Sequence, residues 1–138
     1  MNIRYFDEAN DSIGEFINRE FSSYGEANGV ALNYDSFCFV AEDDDGSIVG
    51  VIKGRATYNE LHIVDLIVAS GHRRSGIGSL LVKAVEDAYR GKGYDKITLT
   101  TFGFQAPGFY RKLGYETEFV REDKDPKLSK FFLAKRFS

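Results

Sequence analysis

Three short stretches hold residue types that do chemistry. "HRRSGIGS", residues 72–79, sets Arg73 and Arg74 beside Gly76 and Gly78, ahead of an apolar run with helical spacing. "NELHIVDL", residues 59–66, carries Glu60, His62 and Asp65 in a β-rich run, and "APGFYRKLGY", residues 106–115, carries Tyr110. The first peptide N–H groups of a helix lack partners within the helix and sit at the positive end of its macrodipole. Glycines let a phosphate approach those groups, and arginines add fixed positive charge. The first stretch therefore reads as a pyrophosphate cradle, with a solvated turn as the plain alternative. It is neither a GxGxxG fingerprint nor a Walker loop, because no Gly-Lys-Ser/Thr follows, and this disfavours NAD and ATP.

The elements that position these residues follow from periodicity. "NIRYF" reads as a short strand, and Ile13, Phe16, Ile17 and Phe21 then recur at helical intervals behind an Asp11 or Ser12 cap. "FCFVAEDDDGSIVGVIKGRATY" reads as a hairpin, with Asp45-Gly46 supplying the positive φ of a tight turn. "LHIVDLIVAS" is nearly continuous in Val, Ile and Leu, as a central strand covered on both faces would be. Ile77, Leu80, Leu81, Ala84, Val85 and Ala88 mark an amphipathic helix that ends at Gly91 and Gly93. "KITLTTF" is the next strand, so the strand, helix and strand make a parallel pair. A short helix "QAPGFYRKL" and the strands "YETEFVRE" and "SKFFLAKRF" follow. The expectation is an α/β fold: a mixed, mainly antiparallel central sheet, helices on both faces, and a parallel strand pair around the central helix.

Length and composition bound the reading. The chain has 138 residues, the size of one domain, so residues 1–138 are read as a single unit. Hydrophobic residues make up 43% and charged residues 28%, the balance of a packed globular protein. No apolar run is long enough to cross a bilayer, and "MNIRYFDEANDS" lacks the layout of a secretory signal, so no membrane role and a cytoplasmic location are expected. A net charge of -3 argues against nucleic acid as a partner. The lone Cys38 has no partner for a disulfide and reads as core packing in its strand, without a base in sequence reach that would make it a nucleophile.

The second half of the chain resembles the GNAT superfamily of acyl-CoA-dependent N-acyltransferases. In that family a strand ending in LxV leads into RxxGxG, matched here by Leu66, Val68, Arg73, Gly76 and Gly78. About thirty-five residues on, the family carries AxxFYxxxGF or similar, matched by Ala106, Phe109, Tyr110, Gly114 and Tyr115. The likeness runs from about Leu61 to Arg136 and is strongest to small bacterial acetyltransferases with "TFxFQAxxFYxKLGY". Three positions depart from it: Ser70 replaces a common proline, His72 a common aromatic, and Gly103 an asparagine that often touches the cofactor.

The resemblance implies acetyl-CoA as co-substrate, without a metal, held by Leu66, Ile67, Val68, Arg73, Arg74, Ser75, Gly76, Ile77, Gly78, Ser79, Ala106 and Phe109. It implies Tyr110 as proton donor to the leaving thiolate, and a backbone N–H near Val68 that polarises the thioester carbonyl. A phenol of pKa about 10 stays protonated at neutral pH and can protonate a sulfur of pKa about 8.5 as charge builds on it. Packing of a short helix is the plain alternative for Tyr110. For the base, His62 has a suitable pKa of about 6.5, with Glu60 and Asp65 behind it. Strand alternation sets Glu60 and His62 on the face opposite Asp65. Arg74, Arg111 and Lys112 are candidates for the adenosine 3'-phosphate, against plain solvation. Phe16, Phe21, Tyr24, Tyr34 and Tyr58 are candidates for an acceptor pocket, with core packing favoured for Phe16 and Phe21.

The resulting expectation is an enzyme acetylating a primary amine of a small molecule by direct attack. A protein or peptide amine, an acyl-CoA sensor without turnover, and an anion-binding module are the alternatives. A homodimer through the late strands is permitted by the apolar "KFFLAKRF".

Overall fold

In a computed structural model of the chain, residues 1–137 are described. They form two compact units, Met1–Leu32 and a second that begins at Asn33. The first holds helix α1 (Asp11–Ala27). Its N-cap is Asn10, whose side chain accepts from the Ile13 N–H at 2.9 Å, one position ahead of the Asp11 or Ser12 expected. The helix stops where Val30 N–H turns back to the Gly25 carbonyl at 2.8 Å. A Cβ on Gly25 would meet the Val30 carbonyl oxygen at 2.7 Å, so glycine is required there. Two expectations fail in this unit. Residues Asn2–Phe6 form no strand, because alternation makes a strand only where a neighbour completes its ladder. Phe16 and Phe21 are exposed, and Gly25 is the buried residue of α1, so helical spacing there marks a face and not a core.

The second unit is a six-stranded sheet in the order β1-β2-β3-β4-β6-β5. β1 (Asp35–Glu42) and β2 (Ile48–Thr57) make the hairpin, β3 (Glu60–Val68) follows antiparallel, and β4 (Lys96–Phe102) lies parallel to β3. β5 (Glu116–Arg121) and β6 (Lys130–Arg136) close the far edge in antiparallel pairing. Helix α2 (Ile77–Tyr89) joins β3 to β4, and the short α3 (Pro107–Lys112) joins β4 to β5. This is the mixed, mainly antiparallel sheet with flanking helices and one parallel pair that the element order implied. Among the described residues no helix is long and apolar enough to cross a membrane.

The hairpin turn is built as its residues dictate. Asp43 Oδ1 accepts from the N–H groups of Asp45 and Ser47, and Gly46 sits at φ +80°. A side chain at that φ is strained. Gly46→Ala is therefore expected to cost about 1 kcal/mol of stability, read as a lowered denaturant midpoint with an unchanged m-value.

The core lies between the sheet and α2. Ile52, Leu61, Ile97 and Leu133 from the sheet meet Leu81, Val82 and Val85. Each such aliphatic chain contributes about 2 kcal/mol by leaving water. The buried face of α2 is rotated from the expected one: Leu80 is 66% exposed, while Val82, Glu86 and Tyr89 are buried. Glu86 is accommodated because it accepts from the Tyr115 hydroxyl at 3.1 Å and from Lys135 Nζ at 3.1 and 3.3 Å. Lys135 Nζ also donates to the Leu113 carbonyl at 2.8 Å, tying the end of α3 to β6. Cys38 is exposed, since β1 turns the flanking Phe37 and Phe39 toward the core. β3 is not covered on both faces either, as Val64 and Ile67 are exposed.

β3 carries an irregularity that governs the site. Lys53 pairs with Asp65 and Gly54 with Ile63, leaving Val64 as an extra residue. A bulge of this kind inverts the alternation beyond it. Before it, Leu61 and Ile63 face the core; after it, Leu66 does. Asp65 thus shares the face of Glu60 and His62, against the strict alternation expected.

Candidate active site

β3 and β4 pair only over Glu60–Ile63 and Lys96–Leu99, and then they separate. Past that point β3 is hydrogen-bonded to β2 alone and β4 to β6 alone. The separation leaves the β3 edge from Val64 to Val68 without a ladder partner on the β4 side. Two cavities meet at this gap. One, of 580 Å³, lies beside α2 and α3, and the other, of 270 Å³, lies between the parted strands. Leu66, Gln105, Ala106 and Tyr110 line both.

The larger cavity gathers residues that the sequence scatters over forty-five positions. Leu66, Ile67 and Val68 come from the end of β3, Arg73 and Arg74 from the loop, Gly76 to Ser79 from the start of α2, and Ala106, Phe109 and Tyr110 from α3. Among the residues expected to hold the cofactor, Ser75 alone is not in this lining; its hydroxyl donates to the His72 carbonyl within the loop. The loop geometry is set by Arg74 at φ +63° and Gly76 at φ +89°. Arg73 Nε donates to the Val68 carbonyl at 3.1 Å, which fastens the loop to the end of β3.

The two long helices begin differently. Asn10 caps α1 with its side chain, whereas Gly76 caps α2 with none. First-turn N–H groups of α2 are therefore left for an outside acceptor, in a cavity rimmed by two arginines. These residues fit a pyrophosphate. The glycines divide the work: Gly76 supplies the left-handed turn with open space around it, while a Cβ on Gly78 would press the Phe109 ring at 3.1 Å. Gly78 is thus also a packing requirement between α2 and α3.

Tyr110 is 7% exposed, its ring edge-on to Phe109 at 5.1 Å and to Tyr115 at 5.8 Å between centroids. Burial pushes its phenol up to about 12, so it holds its proton throughout the neutral range. Among the described residues no protein group bonds its hydroxyl and no buried side-chain oxygen is left unpaired, so that oxygen is not sealed from solvent, and Tyr110 lines both cavities.

The base candidates separate. Asp65 lines the strand-gap cavity, 3.6 Å from Lys53. His62 and Glu60 lie on the same face but where the strands are still paired, and neither lines the two cavities. Thr98 Oγ1 donates to Glu60 Oε2 at 2.8 Å and lies 2.9 Å from His62 Nδ1. With the hydroxyl proton given to Glu60, Nδ1 is the donor to Thr98 and Nε2 keeps the lone pair. Burial and then the neighbouring Arg55 hold His62 below its ordinary value, outweighing Glu60. Arg111 and Lys112 on α3 line neither of the two cavities; Arg111 lies over the Phe131 ring.

Gly103 also finds its reason. A Cβ there would meet the Pro126 carbonyl oxygen at 2.3 Å, so an asparagine could not occupy this backbone position. Phe102 and Gln105, which line the gap, stand in the family-like "TFxFQA" stretch but carried no expected role at the site.

The fold and motifs meet a family signature here. A model of the acetyltransferase (GNAT) family matches residues 4–115. The chain belongs to that family. Its members are acetyl-CoA-dependent transferases. Blasticidin-S acetyltransferase of Streptomyces morookaense is 33% identical over 91 residues, covering 65% of this chain and 67% of that protein. Streptothricin acetyltransferase of Streptomyces lavendulae is 34% identical over 97 residues, covering 67% of this chain and 51% of that protein. The chain thus spans about half to two thirds of the length of these curated relatives. The crystal structure of an acetyltransferase from Bacillus cereus ATCC 14579 superposes with a TM-score of 0.77 at 31% identity, covering 96% of this chain and 97% of that one.

Proposed function

We propose that the protein moves an acetyl group from acetyl-CoA to the primary amine of a small molecule by direct attack, with residues 1–138 working as one acetyltransferase domain. The observation that carries this is the meeting of the two cavities at Tyr110, at the gap between β3 and β4. Acetyl-CoA, when bound, supplies an acyl thioester. The uncapped start of α2, with Arg73 and Arg74, would hold the pyrophosphate, and Leu66 to Val68 and Phe109 would flank the arm that follows. The unpaired β3 edge near Val68 offers a backbone N–H to a carbonyl oxygen, a form of charge stabilisation preset by the fold.

Tyr110 is the proton donor in this reading. Its hydroxyl is bonded to no other described group, keeps its proton at neutral pH, and is free to give it to the sulfur as charge develops. The amine must lose a proton, and His62, with Nε2 open, or Asp65 at the gap can take it through water. The two curated relatives, named for small-molecule antibiotics, support a small-molecule acceptor over a peptide. A single cysteine gains nothing from an oxidising compartment, which supports a cytoplasmic setting.

Calorimetric titration with acetyl-CoA, together with thiol release against a panel of amines, tests the reading. We expect saturable acetyl-CoA binding, and thiol release with at least one amine. Binding without release from any amine would favour a sensor, and absence of binding would overturn the reading of α2 as a pyrophosphate cradle.

A further inference from the structure

The loop after β4 presents two large apolar rings that the core does not use. Phe102 is 37% exposed and Phe104 is 61% exposed, with ring planes 17° apart and centroids 6.2 Å apart. Phe102 lines the strand-gap cavity beside Asp65, Thr100 and Tyr110. Exposed apolar side chains are common singly, but these form a near-parallel pair next to a site, held in a fixed loop. The Gln105 side chain accepts from the Phe102 N–H at 2.9 Å, and Gln105 N–H returns to the Phe102 carbonyl at 2.9 Å. Gly103 N–H donates to the Ser129 carbonyl at 2.8 Å and Phe104 N–H to the Lys127 carbonyl at 3.1 Å. Close contact of the Gly103 backbone with Pro126 completes the clamp. A rigid backbone holding flat rings in water is a preorganised stacking surface, since little ordering remains to be done when a ligand arrives.

Charge and size narrow the ligand. Asp65 is the carboxylate at the gap, and its pairing with Lys53 is loose and exposed, so an ammonium can compete for it. The gap cavity, at 270 Å³, is at the small end of ligand sites and has room for about one ring system, not for a peptide. A flat cation-bearing ligand meets both features: its ammonium at Asp65 and its plane on the phenylalanine pair.

We propose that Asp65 and the Phe102–Phe104 pair select as acceptor a primary amine carried on an aromatic or heteroaromatic ring, in preference to an aliphatic amine or a polyamine. This deepens the acetyltransferase reading above and rests on it for the fate of the bound amine. The test measures amine binding directly, so that the two stand apart. With the full chain, 2-phenylethylamine, butylamine and spermidine are titrated by calorimetry, with and without coenzyme A, and thiol release from acetyl-CoA is followed in parallel. Wild type is expected to bind 2-phenylethylamine about tenfold or more tightly than either aliphatic amine. Phe104→Ala and Phe104→Leu should bring that ratio down to about threefold or less, with the melting temperature and acetyl-CoA affinity unchanged, the second variant keeping apolar bulk but losing the plane. Asp65→Asn should weaken both monoamines equally. Equal binding of the two monoamines by wild type, tighter binding of spermidine, binding of none, or equal loss of both monoamines in the Phe104 variants would overturn the proposal. So would a concentration-dependent dimer that Phe104→Ala abolishes, since the rings would then serve a second copy. Selective amine binding without thiol release would uphold the selection and count against the transferase reading alone.

Discussion

Replacing Tyr110 with phenylalanine is expected to lower kcat by about a hundredfold to a thousandfold while leaving acetyl-CoA affinity within a factor of about two. The substitution removes one oxygen. The ring keeps its edge contacts with Phe109 and Tyr115, and no hydrogen bond within the described protein is lost, so neither fold nor cavity has reason to change. What goes is the hydroxyl proposed above to give a proton to the departing thiolate. The pH dependence is a second readout. Burial raises the phenol to about 12, so Tyr110 stays protonated to well above neutrality. The rate at subsaturating acceptor should rise with pH as the amine loses its proton, and loss of the Tyr110 proton should bring no decline below about pH 11. A falling limb near pH 9, or equal loss of turnover and acetyl-CoA binding in Tyr110→Phe, would remove Tyr110 from the donor role.

Gly54→Ala should destabilise the fold by about 3 kcal/mol or more, seen as a large drop in denaturant midpoint or a failure to accumulate folded protein. Gly54 lies on β2 opposite Ile63, beside the bulge at Val64. A Cβ there would stand 2.1 Å from the His62 carbonyl oxygen and 2.7 Å from Phe37 Cζ. The phenylalanine ring is a side chain and can rotate aside, but the carbonyl is backbone in the middle of a sheet and cannot move without breaking the ladder. The consequence reaches the candidate active site, because the same bulge turns Asp65 to the face of His62 and brings it to the gap cavity. A variant with wild-type stability would show that the two strands do not approach as described.

The two predictions differ in how far the sequence foretold them. Tyr110 and the glycines of "RRSGIG" stand in motifs, and motifs are local: residue types at fixed spacing along one turn or one helix start. The order of strands and helices was legible for the same reason, since hydrophobic period and turn residues act over a few positions. Asp45-Gly46 makes its turn, and the strand, helix and strand around α2 make the parallel pair. Gly54 stands in no motif, and nothing near it in the chain marks the carbonyl it must clear.

Other features depend on partners distant along the chain. Whether Leu80 or Val82 faces the core is set by how α2 settles on the sheet, and the two differ by only half a turn. Cys38 faces outward because its neighbours Phe37 and Phe39 find room opposite Ile52 and Gly54. "NIRYF" has a strand's alternation and no ladder. One extra residue at Val64 reversed the side on which Asp65 stands, and the end of β3–β4 pairing at Ile63 and Leu99 opened the gap where Asp65, Phe102 and Tyr110 meet. Residue types and local spacing were enough to mark which groups could do the chemistry and on which elements they ride; register, bulge and the point of strand separation, which arise only between strands, set which of them share a cavity.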